Sequence, residues 1–208
     1  MRLLAAAVLA LPFACAAQAV PRPEVKVDDS WTYRRMDYDA NQPRGLYTMR
    51  AVFAERGVIQ MVSTYGRKEG EVDTTYTADW NAVTTVGRVF NPHTGWFRFP
   101  LQVGDSYKAS FETIVPKKEA NSRHQRDVKV VGWEEITVPA GRFRALKIVS
   151  EGHFQRIDNT RISGTSRNVI WYVPEVKRWV KITLENRPQT GRGGGEFTGE
   201  ELVGYKVQ

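Results

Sequence analysis

Tyr47-Thr48-Met49-Arg50-Ala51-Val52-Phe53-Ala54 alternates with a period of two, Tyr47, Met49, Ala51 and Phe53 on one side and Thr48, Arg50, Val52 and Ala54 on the other. The run stops at Glu55-Arg56-Gly57, a turn signal. Such alternation marks a strand with one face on a core and the other toward water, the habit of antiparallel sheets. The same period recurs along the chain. Ile59, Met61 and Tyr65 oppose Gln60 and Thr64; Tyr107, Ala109, Phe111 and Val115 oppose Lys108, Ser110 and Glu112; Val180, Ile182 and Leu184 oppose Lys181, Thr183 and Glu185.

Gly and Pro punctuate these runs at Gly57, Gly66 with Gly70, Gly87, Gly95, Gly104, Pro139 to Gly141, Gly152 and Pro174. Regular turn signals between short β-rich runs predict an all-β fold, a single curved antiparallel sheet of about ten to twelve short strands forming a half-barrel or open barrel. Past residue 20 no window carries a sustained helical period. Pro116 to Asp127 and Gln189 to Glu196 show no period and read as loops, and Glu201 to Tyr205 reads as a final strand. Val25 to Tyr33 echoes Leu101 to Ala109, each with an Asp-Ser turn leading into an aromatic-led strand. Turn chemistry explains the echo, and a duplication of two related halves would explain it too.

The N-terminus belongs to a different class. Arg2 precedes an apolar run from Leu3 to Ala17, and Ala17-Gln18-Ala19 fits the small-x-small pattern of signal peptidase cleavage. The expected organisation is a cleaved signal over residues 1–19 and one β-rich domain over 20–208. The lone cysteine, Cys15, lies inside that signal, so the exported domain has no disulfide. Lipoprotein processing needs a Leu-like residue three positions before the cysteine, where Pro12 stands, so anchoring through Cys15 is not expected. Export without disulfides suits a bacterial periplasm. The apolar run is shorter than the roughly 20 residues of a membrane span, so no integral membrane segment is expected in the exported domain.

The chain has 208 residues, 41% of them hydrophobic and 25% charged, with a net charge of +7. That composition excludes a disordered chain. The basic balance fits anionic surroundings, but no dense arginine run marks a nucleic-acid surface, and none is expected for an exported chain. His93, His124 and His153 lack metal-ligand spacing, so neither metal nor cofactor is expected. Gly164-Thr165-Ser166-Arg167-Asn168 lacks the closing Gly of a nucleophile elbow. Glu134 would share a buried face with Val128, Val130, Ile136 and Val138 under strict alternation, unless Gly132 marks a bulge that turns it toward water.

Aromatic residues recur strand after strand, and Trp31, Tyr33, Trp96, Trp133, Trp171 and Tyr172 are the candidate ligand-binding residues. Lining a concave face, they would make an apolar groove; packed inward, they would be core.

Five segments carry a family resemblance: Val27 to Tyr33, Phe99 to Ser106, Val138-Pro139-Ala140-Gly141-Arg142-Phe143 continuing to Ile148, Trp171 to Lys181 and Glu201 to Tyr205. Together they resemble exported bacterial proteins carrying a domain of unknown function. The resemblance implies a curved half-barrel sheet similar to that of the periplasmic carriers that shelter lipoprotein acyl chains. It brings no catalytic residue. The function expected is non-catalytic, a periplasmic module binding a lipid or other apolar ligand on its concave face. The alternative is an envelope scaffold that binds a protein partner through exposed strand edges, and the remote one is a hydrolase assembled around Glu134 and the histidines.

Overall fold

The computed structural model describes residues 19–64, 71–116, 120–189 and 194–208. The expected signal, save Ala19, lies outside the described residues, as do Cys15, Tyr65, Gly66, Gly70, Gly191 and Gly193. Twelve strands follow one another: β1 (Ser30–Asp37), β2 (Gln42–Glu55), β3 (Val58–Ser63), β4 (Thr74–Thr77), β5 (Ala82–Thr85), β6 (Arg88–Asn91), β7 (Ser106–Ile114), β8 (Ser122–Val138), β9 (Gly141–Arg156), β10 (Ser163–Val173), β11 (Arg178–Pro188) and β12 (Glu196–Lys206). The chain is all-β, as the period of two indicates, with one short 3-10 turn at Pro174–Val176.

The sheet closes. Each strand pairs antiparallel with its chain neighbours, and β1 pairs with β12 from Ser30↔Lys206 to Asp37↔Thr198. The half-barrel or open barrel expected from the sequence is thus a complete barrel, and β12 is hydrogen-bonded to β1 on one side and β11 on the other. The final strand is therefore paired on both sides from Thr198 to Glu201, and beyond Glu201 its ladder to β11 stops. The strands are also not uniformly short: β8 has 17 residues and β9 has 16.

The β8–β9 hairpin turns through Pro139 and Ala140, where the sequence places a tight turn. It outruns its neighbour β7, whose register with β8 ends at Lys129, and its tip reaches across to β12, where the Ala140 amide donates to the Leu202 carbonyl at 2.9 Å. A bulge between Val130 and Gly132 supplies the bend. That bulge also decides the place of Glu134, which leaves the buried face and meets Lys147 at 3.1 Å on the outer wall. Beyond the hairpin, Pro116 to Asp127 is only partly a loop, because Ser122 to Asp127 belong to β8. Their inward residues are as polar as their outward ones, which erases the hydropathy contrast.

Twelve strands enclose more space than the roughly eight at which side chains just fill a barrel. Only large side chains reach the axis, and one end is filled by them: Trp31, Tyr33, Trp80, Phe97, Tyr172 and Trp179 are all buried. Trp31 and Trp80 meet edge to face at 5.4 Å, and Phe97 stacks on Trp179 at 6.1 Å. The Trp31 and Trp80 indoles donate to the carbonyls of Val176 and Lys177, pinning the β10–β11 turn beneath this floor. Asp29, fully buried, joins three parts of the chain there. Its carboxylate accepts from the Lys26 amide at 2.9 Å and the Gln208 amide at 2.9 Å, and pairs with Lys177 Nζ at 3.1 Å.

The echo between Val25–Tyr33 and Leu101–Ala109 is a repeated turn. Asp29 and Asp105 each bond the amide three residues back, and the preceding residue, Asp28 (φ +72°) or Gly104 (φ +95°), takes the left-handed conformation. That is local turn chemistry.

Two substitutions test this architecture. At Gly152 an added Cβ would fall 1.9 Å from the Gln125 carbonyl oxygen, so Gly152→Ala should cost more than about 2 kcal/mol in denaturant unfolding. Asp29→Ala leaves the Lys177 ammonium with the Glu24 and Gln208 carbonyls but no counter-charge and should cost about 3 kcal/mol, and the double variant Asp29→Ala, Lys177→Met should cost less than that single change.

Candidate functional site

Above the aromatic floor the barrel is hollow. A cavity of about 840 Å³ runs toward the opposite end, and all twelve strands contribute to its wall. Its apolar surface comes from Phe90, Trp96, Phe111, Phe154, Ile182 and Leu184, and its polar surface includes Thr74, Thr113, Asn168, Asn186 and Thr198. Three arginines line it, Arg35, Arg88 and Arg126, against two carboxylates, Glu196 and Glu200.

The charges are segregated. Both glutamates stand on β12, and Arg35 on β1 is the register partner of Glu200. Across the barrel, β6 and β8 supply Arg88, His124 and Arg126. His124 stacks on Phe111 at 4.6 Å, and its Nδ1 accepts from Arg126 Nη2 at 3.2 Å. A guanidinium can only donate, so the ring proton sits on Nε2 and is donated to Thr113 Oγ1 at 3.0 Å. Burial, with the Arg126 and Arg88 charges adding to it, pushes His124 down to about 4, so the ring is neutral at neutral pH.

The floor of the cavity holds a second buried guanidinium. Arg178, 0% exposed, is enclosed by aromatic rings, its guanidinium carbon lying 3.8 Å from the Trp179 centroid, 4.2 Å from Trp80 and 4.8 Å from Tyr76. Its Nη2 donates to the Tyr76 hydroxyl at 3.0 Å. Cation–π attraction to desolvated rings offsets part of the cost of burying the charge. Tyr76 and Trp179 line the cavity as well, so this cage forms the underside of the site.

The six candidate aromatics scatter. Trp31, Tyr33 and Tyr172 are closed within the core. Trp133 is half-buried, with the Arg144 guanidinium over its ring. Trp171 lies beside Lys147 and Lys181 on the outer wall, its indole donating to Glu134. Of the six, Trp96 alone lines the cavity. The polar lining carries none of the apolar signal that marks an inner face. Counting back by twos from Val130 and Val128 places Arg126, His124 and Ser122 on that same face, and this signal would have found them.

No family model matches the chain, and no curated protein matches it. Among solved structures, a presumed lipoprotein from Parabacteroides distasonis superposes with a TM-score of 0.55 at 14% identity, over 91% of this chain and 100% of that one. A presumed exported protein with a YmcC-like fold from Bacteroides fragilis gives 0.56 at 12% identity, over 91% and 100%. The likeness is one of fold. Among the described residues, no helix is long and apolar enough to cross a membrane.

His124 gives the barrel a pH signature. The unfolded chain takes up a proton at this side chain near pH 6.5, the folded chain only near 4. Stability is therefore fully present above pH 6.5 and is lost as pH falls from 6.5 toward 4, by on the order of 3 kcal/mol. Subtracting the unfolding free energies of His124→Gln from those of the parent across this window should expose that slope, and a flat difference would remove His124 as its cause.

Proposed function

We propose that this protein is a non-catalytic exported binding module that holds an amphipathic molecule inside the barrel. The observation that carries the reading is the cavity of about 840 Å³, within the roughly 300–1,000 Å³ typical of small-molecule sites. Its wall is mixed: aromatic and aliphatic side chains would take the apolar part of a ligand, and hydroxyls, amides and arginines the polar part. The concave face foreseen for the ligand becomes the lumen of a closed barrel. Two further features support export, the N-terminal sequence pattern of residues 1–19 and the fold shared with proteins described as exported or as lipoproteins.

Titration with the neutral probe N-phenyl-1-naphthylamine tests the lumen directly. Binding should saturate at one probe per chain, with quenching of tryptophan emission, since Trp96 and Trp179 line the cavity. Thr198 also lines it, and Thr198→Trp should fill the space and weaken binding by at least about tenfold, a 1.4 kcal/mol effect. Trp171→Phe, on the outer wall, should leave binding unchanged. Absence of saturable binding, or sensitivity to Trp171 in place of Thr198, overturns the reading.

A further inference from the structure

Arg126 is 5% exposed and lines the cavity. Its Nη1 donates to the Ser166 carbonyl at 3.1 Å, Nη2 donates to His124 Nδ1, and Nε has no hydrogen-bond partner. Both partners are neutral, and no carboxylate pairs with this guanidinium among the described residues. Burial lowers Arg126 to about 10, which still leaves it charged at neutral pH. A buried cation without a counter-charge is costly, and an anion brought into contact with it recovers much of that cost.

The surroundings define the shape of that anion. Arg88, exposed on β6, adds a second guanidinium close enough to act on the His124 ring. Phe90, Phe111 and Phe154 border the two, with Phe111 6.0 Å from Phe90 and His124 6.1 Å from Phe154. The carboxylates that would repel an anion, Glu196 and Glu200, stand on β12, which is four strands from β8 and six from β6 around the barrel. Guanidinium groups favour planar or tetrahedral oxyanions, which they bind in a fork of N–H bonds.

We infer that the lumen recognises an anionic amphiphile, a single hydrocarbon tail ending in a carboxylate or phosphate that pairs with Arg126 and is steered by Arg88. This rests on the lumen being the binding site, and it adds that the head group is read by charge. The oxyanion supplies the counter-charge that Arg126 lacks, and the tail lies against the aromatic rim and the Ile182–Leu184 wall.

Displacement of N-phenyl-1-naphthylamine by dodecanoate, dodecyl phosphate and dodecanol tests it. In the parent protein both anions should bind at least about tenfold tighter than the alcohol, the size of a charge-assisted hydrogen bond. Arg126→Met should bring them to the level of dodecanol without weakening dodecanol itself. Arg126→Lys should keep a preference for anions. If Arg126→Met fails to fold, Arg88→Gln serves in its place and should reduce the preference by about half its logarithm. Tighter binding of dodecyl phosphate than of dodecanoate would point to a phospholipid source, and the reverse order to a free fatty acid. Equal binding of alcohol and anions in the parent overturns the inference and leaves the lumen reading intact. If no ligand displaces the probe, the lumen reading itself fails.

Discussion

The ladder between β1 and β12 is the constraint on which the rest depends. Without it the sheet would have two long edges and no interior; with it, every residue faces either the axis or the outside. Closure also fixes the circumference, and a twelve-strand circumference is too wide for Val, Ile and Leu alone to fill. Hence the aromatic floor, the turn pinned by two indoles and the Asp29 hub that ties Lys26, Lys177 and Gln208 together. Where those side chains end, the cavity begins.

Two buried guanidinium groups show different solutions to one problem. Arg178 is held by rings, with five aromatic centroids within 6 Å of its carbon. Arg126 sits higher, in the cavity wall, which offers it a carbonyl and a neutral imidazole. The first is structural by its surroundings. The second is the chemical character of the lumen, and His124 stays neutral beside it because burial, reinforced by the Arg126 and Arg88 charges, penalises its protonated form.

The β-architecture was legible because hydropathy and pleat coincide on most strands: Met49 and Ala51 face the core, and Thr48 and Arg50 do not. The tight turn at Pro139–Gly141 and the bulge at Gly132 were legible from their residue types. Closure was not, since pairing between the first and last strands leaves no local mark and the polar Glu200 and Thr198 of β12 look outward by composition while they line the lumen. The aromatic residues misled for a related reason. A tryptophan that spans a wide barrel and one that lines a groove have the same sequence spacing, and Trp31 belongs to the first kind. Arg126 and His124 lay in a segment without contrast between its faces.

An even number of strands has a directional effect that reaches beyond binding. β1 starts and β12 ends at the floor, with Ser30 opposite Lys206, and the segment before β1 stays there, Val20 bridging to Leu101. Both described ends of the chain therefore emerge at the plugged end, opposite the cavity. Immobilised through its C-terminus on a chip, a bead or a fused carrier, the molecule would stand with its plug toward the support and its cavity on the far side.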